Sequence, residues 1–239
     1  MSGAATASAQ VPAKVPAPFA RRCAAWSIDI AVVLLATAML CMARIRDGGA
    51  RIAAAFDALA QSMARAMADL LHGATPLELA RQWLADPRQR EAITALSDAI
   101  AATVFPPLLA ATLLALAWFA LSEASPWQAT PGKRLLGLRV VDAGGARIGL
   151  VRATGRHLAG TLSWITLNIG HLMALLPPQR QALHDRIAGT HVVQENADAR
   201  LPAWASAWLV LQVVLAVAAT AWLFLAANAA MQRAFDALL

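Results

Sequence analysis

The sequence predicts an all-α integral membrane protein: a small helical bundle of three or four membrane segments, with a short cytoplasmic β-hairpin and an extramembrane helical insertion. Three observations predict it. Four stretches are apolar enough to enter a bilayer, and 59% of residues are apolar against 14% charged, with a mean hydropathy of +0.55. Between the first two stretches the apolar residues recur at helical spacing. A soluble domain carries about 25% charged residues. The 239 residues include 20 Lys plus Arg against 14 Asp plus Glu, for a net charge of +6 and a pI near 10.9. In a soluble chain that excess would point to nucleic acid; in a membrane chain basic residues collect in cytoplasmic loops, so nucleic acid is not expected as a partner. Cys23 and Cys41 share one apolar stretch. As a helix it holds them about 27 Å apart at about 1.5 Å per residue, too far for a disulfide.

Residues 1–18, low in complexity and rich in Ala and Pro, read as a disordered cytoplasmic tail. The first transmembrane helix is expected over 19–43, with one charge, Asp29, inside it. An Asp in the apolar core and some twenty residues ahead of it favour a retained span over a cleaved signal. Within the insertion, 44–103, Ile52, Phe56, Leu59, Met63, Met67 and Leu70 form an apolar row opposite Asp57, Gln61, Arg65 and Asp69, the pattern of an amphipathic helix. A second helix is expected from Thr75-Pro76-Leu77-Glu78, which combines an N-cap, Pro at the first position and a capping-box Glu; a third starts at Asp86-Pro87. The insertion is either a partner-binding or membrane-lying lid or, since its stripe has no basic flank for anionic lipid, a cap that buries its own apolar faces.

The second span, 104–121, carries no charge and opens at Pro106-Pro107, residues suited to a first helical turn. Loop 122–155 contains two β-type runs around Ala143-Gly144-Gly145, a hairpin signal. The membrane segment 156–176 is interrupted by Gly160, Asn168, Gly170 and His171 and stopped by Pro177-Pro178, so it either spans or re-enters. An Asp-containing loop, 177–194, precedes the C-terminal segment 195–239 with its span at 203–230, where Trp204, Trp208 and Trp222 are expected interfacial anchors.

Charge orients the chain. Lys14, Arg21 and Arg22 precede the first span with no acid, residues 44–103 carry seven basic and seven acidic residues, and residues 122–156 carry six basic and two acidic, net +4. The N-terminus and the 122–155 loop are therefore expected in the cytoplasm and the insertion on the far side, which is the periplasmic side of the inner membrane if the cell is a Gram-negative bacterium. The 177–202 loop holds three of each sign and leaves its own side open.

Few residues suggest chemistry. Gly132-Lys133 is not a phosphate loop, because that motif needs Gly at 127, which is Trp, and Ser or Thr at 134, which is Arg. No His-Glu-x-x-His, Gly-x-Ser-x-Gly or paired-Cys motif occurs, so no enzyme, metal or cofactor is expected. His184 and His191 read as hydrogen-bonded loop histidines, and Asn168, His171 and Gln212 as interhelical hydrogen-bonding groups. Asp29 is the exception, since an ionised Asp on a spanning helix costs about 2.5–3.5 kcal/mol at the centre. It is either an ion or substrate-amine site or a structural pair.

These residues resemble the RDD family of bacterial multi-pass membrane proteins. The family has an Arg before the first helix, an Asp seven residues later, a Thr-Pro-Gly-Lys segment leading into a Leu-Gly-Leu-Arg-Val-Val-Asp-like strand, and a Leu-His-Asp segment before Ala-Gly-Thr. Here they fall on Arg22, Asp29, Thr130 to Lys133, Leu136 to Asp142, and Leu183-His184-Asp185 before Ala188-Gly189-Thr190. The resemblance covers 19–43 and 104–194; the long insertion and the span after 203 depart from it. It implies transport of ions or small ligands.

Arg22 and Asp29 share a helical face but stand about 10 Å apart along the axis, so a direct bond is strained. Lys133, Arg134 or Arg186 would bridge the gap better. The expected functional cluster is Arg22, Asp29 and Asp185, supported by Lys133, Arg134, His184 and Arg186, provided that 156–176 re-enters. Two functions follow: transport or exchange with Asp29 titrating, or a non-catalytic assembly protein that docks a membrane partner or a second copy through its insertion or its basic hairpin.

Overall fold

The computed structural model describes residues 15–71, 75–195 and 200–237. These described residues form two compact units, one drawn from 15–33 and 114–209, the other from 34–113 and 210–237. The chain is predominantly helical. Among the described residues three helices are long and apolar enough to cross a membrane: α1 (Phe19–Leu40), α4 (Pro87–Ala124) and α9 (Ala203–Asp236). The most apolar stretch of α9 has none of its residues buried and shows Val, Leu and Phe side chains all round, as a lipid-facing helix does.

The first unit is built on a three-stranded antiparallel sheet. Strand β2 (Leu138–Asp142) pairs with β3 (Thr190–Gln194) in the register Val140↔Val192, and β1 (Val15–Pro16) covers the other edge of β3 with Pro16↔Val193. The expected hairpin does not form. Asp142 instead closes a tight loop on Ala146, taking the Ala146 N–H on Oδ1 at 2.8 Å, and the run after it ends with Ile148 buried in the core and Gly149 capping α6 (Leu150–Ile165). A second strand there would have to turn Ile148 out of that core, whereas β3 brings Val192, itself buried, opposite Val140. Residues 15–18 of the expected disordered tail are ordered: β1 is hydrogen-bonded and Ala17 is wholly buried. Residues 1–14 lie outside the described residues. The core is small-residue packing, with Ala24 and Ala25 of α1, Ala120 of α4 and Ala153 of α6 against Leu138 and Val140.

The segment expected at 156–176 begins earlier, because α6 already includes 150–155. It breaks at Leu167 and Asn168, both left-handed (φ +50° and +65°), and continues through α7 (Ile169–Leu172) and a 3-10 turn (Met173–Leu175), bent by 115°. Gly170 fits at the bend because a Cβ there would strike Ser163 Oγ and Leu183. Helix α8 (Leu183–Ala188) then packs back on α6, so the two ends of the segment lie together. Trp208 Nε1 donates to Ser27 Oγ at 3.2 Å, which ties the start of α9 to α1.

In the second unit, α2 (Met42–Leu71) starts ten residues before the expected stripe, with one residue, Cys41, between it and α1. Its buried line is Ala60 and Ala64, against Ala234, Met231 and Phe235; Met63 and Met67 of the predicted stripe stay exposed. Alanines let the backbones approach where methionines would hold them apart. Helix α3 (Pro76–Ala85) starts at the expected capping box, with Glu78 N–H donating to Thr75 Oγ1 at 3.3 Å and Thr75 N–H to Glu78 Oε2 at 3.0 Å. The third predicted helix and the second span are one element, α4, so Pro106-Pro107 sit deep inside a 38-residue helix rather than in a first turn. Pro106 leaves the Ala102 carbonyl without its helical donor, and the Arg44 guanidinium supplies one at 3.3 Å.

Candidate functional site

Asp29 points from α1 into the first unit and is wholly buried. Its partners are neutral donors: Gly132 N–H at 2.9 Å and Trp118 Nε1 at 3.2 Å on Oδ1, and the Thr130 hydroxyl on Oδ2. The Thr-Pro-Gly-Lys segment is the other half of this cage. Thr130 caps the short helix α5 (Pro131–Leu135), Pro131 occupies the first position, where no donor is missed, and Gly132 lies against α1. A Cβ at 132 would fall 2.8 Å from Asp29 Oδ2 and closer still to the Ala25 carbonyl oxygen. Glycine is thus required by close approach.

Arg22 does not reach Asp29. Seven residues earlier on α1, it donates to Asp185 Oδ2 at 2.6 Å and to the Arg180 carbonyl at 2.8 Å. Asp185 is wholly buried and also takes the Ala182 N–H at 2.9 Å, which closes the start of α8. Its other oxygen faces Arg156 of α6, with Nη2 at 2.8 Å and Nε at 3.0 Å. Arg156 then forks the opposite way onto both oxygens of Glu123, each 2.7 Å from Nη1, and Lys133 Nζ reaches Glu123 Oε1 at 2.7 Å. The result is an alternating chain, Arg22–Asp185–Arg156–Glu123–Lys133, drawn from α1, α8, α6, α4 and α5.

Pairing of this kind is what makes buried charge tolerable. Burial opposes the charge of Asp185, but the Arg22 and Arg156 guanidiniums outweigh it and hold the carboxyl well below the usual carboxylate range. The neighbouring His184 moves the other way in charge: burial, reinforced by Arg156, pulls it down to about 3 against the opposing pull of Asp185. Its ring is therefore neutral. His184 Nε2 is faced at 3.3 Å by both a donor, Arg156 Nη2, and an acceptor, Asp185 Oδ1.

Of the expected cluster, Arg22 and Asp185 are in contact, with Lys133 and His184 joining them through Glu123 and Arg156. Asp29 is a separate centre that shares helices α1, α4 and α5 with the ionic chain but bonds none of its charged groups among the described residues. Arg134 and Arg186 belong to neither: Arg134 lies over the Trp127 ring at 4.3 Å and Arg186 is exposed. Glu123 and Arg156, the members that sequence reasoning missed, flank apolar stretches at 104–121 and 157–167, and an acid and a base at such ends are the signal that could have found them. The buried Nδ1 of His171 and Nε2 of Gln212 have no partner among the described residues, so neither atom makes the expected interhelical bond.

Above the ionic chain lies a cavity of about 420 Å³, within the range of small-ligand sites. Arg22, Lys133, Arg156 and His184 line its polar part, and Trp26, Phe119 and Trp164 its apolar part.

Comparison with known proteins agrees with the motif reading. The model of the RDD family matches residues 16–189. The chain is similar to the uncharacterized protein YxaI of Bacillus subtilis (strain 168), 36% identical over 88 residues, which are 37% of this chain and 58% of that protein. The chain thus spans little more than half the length of that relative. No solved structure matches.

Proposed function

The chain belongs to the RDD family and is a membrane protein; from that premise we propose that it binds a small ligand of net negative charge at the Arg22–Lys133 ionic chain and moves or exchanges it, without catalysing a reaction. The observation that carries this is the cavity floor: three cations, Arg22, Arg156 and Lys133, stand against two carboxylates, Asp185 and Glu123, beside a wall of apolar side chains. Counting the buried Arg21 and Asp29 of the same unit adds one charge of each sign and leaves the excess positive. An uncompensated cation in low dielectric attracts an anion strongly. Asp29, enclosed by its three donors, braces the 130–133 turn in this reading.

In the same reading the protein is a multi-pass protein of the inner membrane, with the N-terminus, the sheet and Asp185 cytoplasmic and the 44–103 insertion on the far side. The positive charge of 1–22 and 122–156 supports that orientation. Proteoliposomes loaded with ion-sensitive dyes test the function. Wild-type protein is expected to dissipate an imposed anion gradient faster than empty vesicles, and folded Lys133→Gln protein to do so little faster than they do. Equal rates for the two proteins would end the reading.

A second reading, assembly with a membrane partner or a second copy, draws on the second unit. There a charged groove of about 470 Å³ between α2 and α4 is lined by Arg65, Asp69, Asp86, Arg88 and Glu91. Crosslinking through this groove in intact membranes is expected to capture a defined second chain; recovery of the unlinked protein alone would count against it.

A further inference from the structure

We infer that the ligand is an anionic amphiphile, with a phosphate-type head on the cavity's cations and an apolar tail between Trp26, Trp164 and Phe119; this rests on the anion-binding reading and narrows it.

The head site is carried by donors that the ionic chain leaves over. Lys133 has three N–H donors and spends one on Glu123; Arg22 has five and spends two. Arg156, by contrast, is consumed by Glu123 and Asp185, so it sets the geometry and leaves binding to its neighbours. Two buried ring nitrogens, His171 Nδ1 and His184 Nδ1, have no partner among the described residues, and both residues line the same cavity. In the tautomer in which Nε2 accepts from Arg156, His184 Nδ1 is an N–H that an anionic oxygen would satisfy. An anion therefore meets the excess charge and an orphaned donor together, which a cation would not.

The tail site is a run of rings. Trp26 and Trp164 lie 6.4 Å apart, Trp164 and His171 6.2 Å, and His171 and His184 5.3 Å, which joins the apolar wall to the ionic floor without a gap. Phe119 stacks on His157 at 5.1 Å on the other side, beneath Lys133 Nζ. Trp26 stays 43% exposed and Trp164 59% exposed, apolar surface at the cavity that a tail would cover. A bare inorganic anion would leave it empty. Gly160 lines the same space with nothing within 4 Å of where its Cβ would stand, so chain can lie there.

The test uses the full-length protein in neutral detergent, with binding read by calorimetric titration of three probes. These are dihexanoyl phosphatidylglycerol, dihexanoyl phosphatidylcholine and inorganic phosphate. The inference expects phosphatidylglycerol to bind about tenfold or more tightly than either of the others. Gly160→Leu, which fills the cavity and keeps every charge, is expected to weaken it by about tenfold, and Lys133→Gln to remove the preference over phosphatidylcholine. Should Gly160→Leu fail to fold, Trp26→Ala tests the tail site and is expected to weaken phosphatidylglycerol while leaving phosphate unchanged. Phosphate binding as tightly as phosphatidylglycerol would overturn the amphiphile while leaving the anion-binding reading intact. Equal binding of the two lipids would overturn the head site. Binding that survives both cavity variants would place the ligand elsewhere and overturn the inference, and flux in the same protein samples would still decide the anion-transport reading separately.

Discussion

At the residue scale, two aspartates that look alike in sequence do different work. Asp29 accepts three hydrogen bonds from neutral donors, and Asp185 takes two guanidiniums and a backbone amide. Asp29→Asn would set an amide N–H against at least one donor, at an expected cost of about 1–3 kcal/mol for a buried unsatisfied group, read as a lower melting temperature in detergent. Thr130→Val should lose a similar amount and Thr130→Ser should restore most of it. Gly132→Ala is expected to be worse than either, since the methyl meets the Ala25 carbonyl and the Asp29 carboxylate. His184 adds a pH dependence. Unfolded, its ring takes a proton below the ordinary 6.5; folded, it resists until about 3, so the folded state loses stability as pH falls through that window. Asp185, held low when folded, adds to the loss only below its ordinary 3.8. Melting curves of wild type should therefore fall from about pH 6.5 toward about pH 4 by up to about 1.4 kcal/mol per unit. His184→Gln should flatten that slope, and an unchanged slope would refute the assignment.

At the element scale, helix boundaries follow from caps where caps exist and from tertiary partners where they do not. The Thr75–Glu78 box sets the start of α3 by local hydrogen bonds. Thr75→Ala should accordingly speed amide exchange in the first turn of α3 and leave α4 untouched, which hydrogen-exchange mass spectrometry would resolve. Helix α4 continues through two prolines that would end a soluble helix, because in an apolar setting a broken helix would expose more backbone than the prolines do. The opposite happens between α6 and α7, where no proline intervenes: two left-handed residues turn the chain by 115°, and the freed groups are met by local bonds such as Asn168 N–H to the Ser163 carbonyl at 2.6 Å.

At the scale of the whole molecule, pairing of β1 with β3 ties the start of the described chain to residues 193–194. Residues 15 and 187 should therefore be reached from the same side of the membrane. In a background lacking Cys23 and Cys41, Val15→Cys and Ile187→Cys, both exposed positions, are expected to resist an impermeant thiol reagent in intact cells and react after lysis. Ala54→Cys on α2 should react in intact cells. Reaction of positions 15 and 187 from opposite sides would sink the arrangement.

The sequence by itself determined the membrane class, the apolar stretches of the three long helices, the α3 cap and the motif residues that place the chain in its family, because hydropathy, capping and motif spacing act over one to twenty neighbouring residues. It also placed Arg22 beyond easy reach of Asp29, a matter of helix rise alone. Tertiary structure alone decided the partners: that β2 pairs with a strand fifty residues on, that Asp29 takes neutral donors, and that Glu123 and Arg156 complete the ionic chain. Their sequence neighbours are ordinary, and only the return of α8 onto α6 sets Arg156 between Glu123 and Asp185, where buried charges must find each other or be expelled.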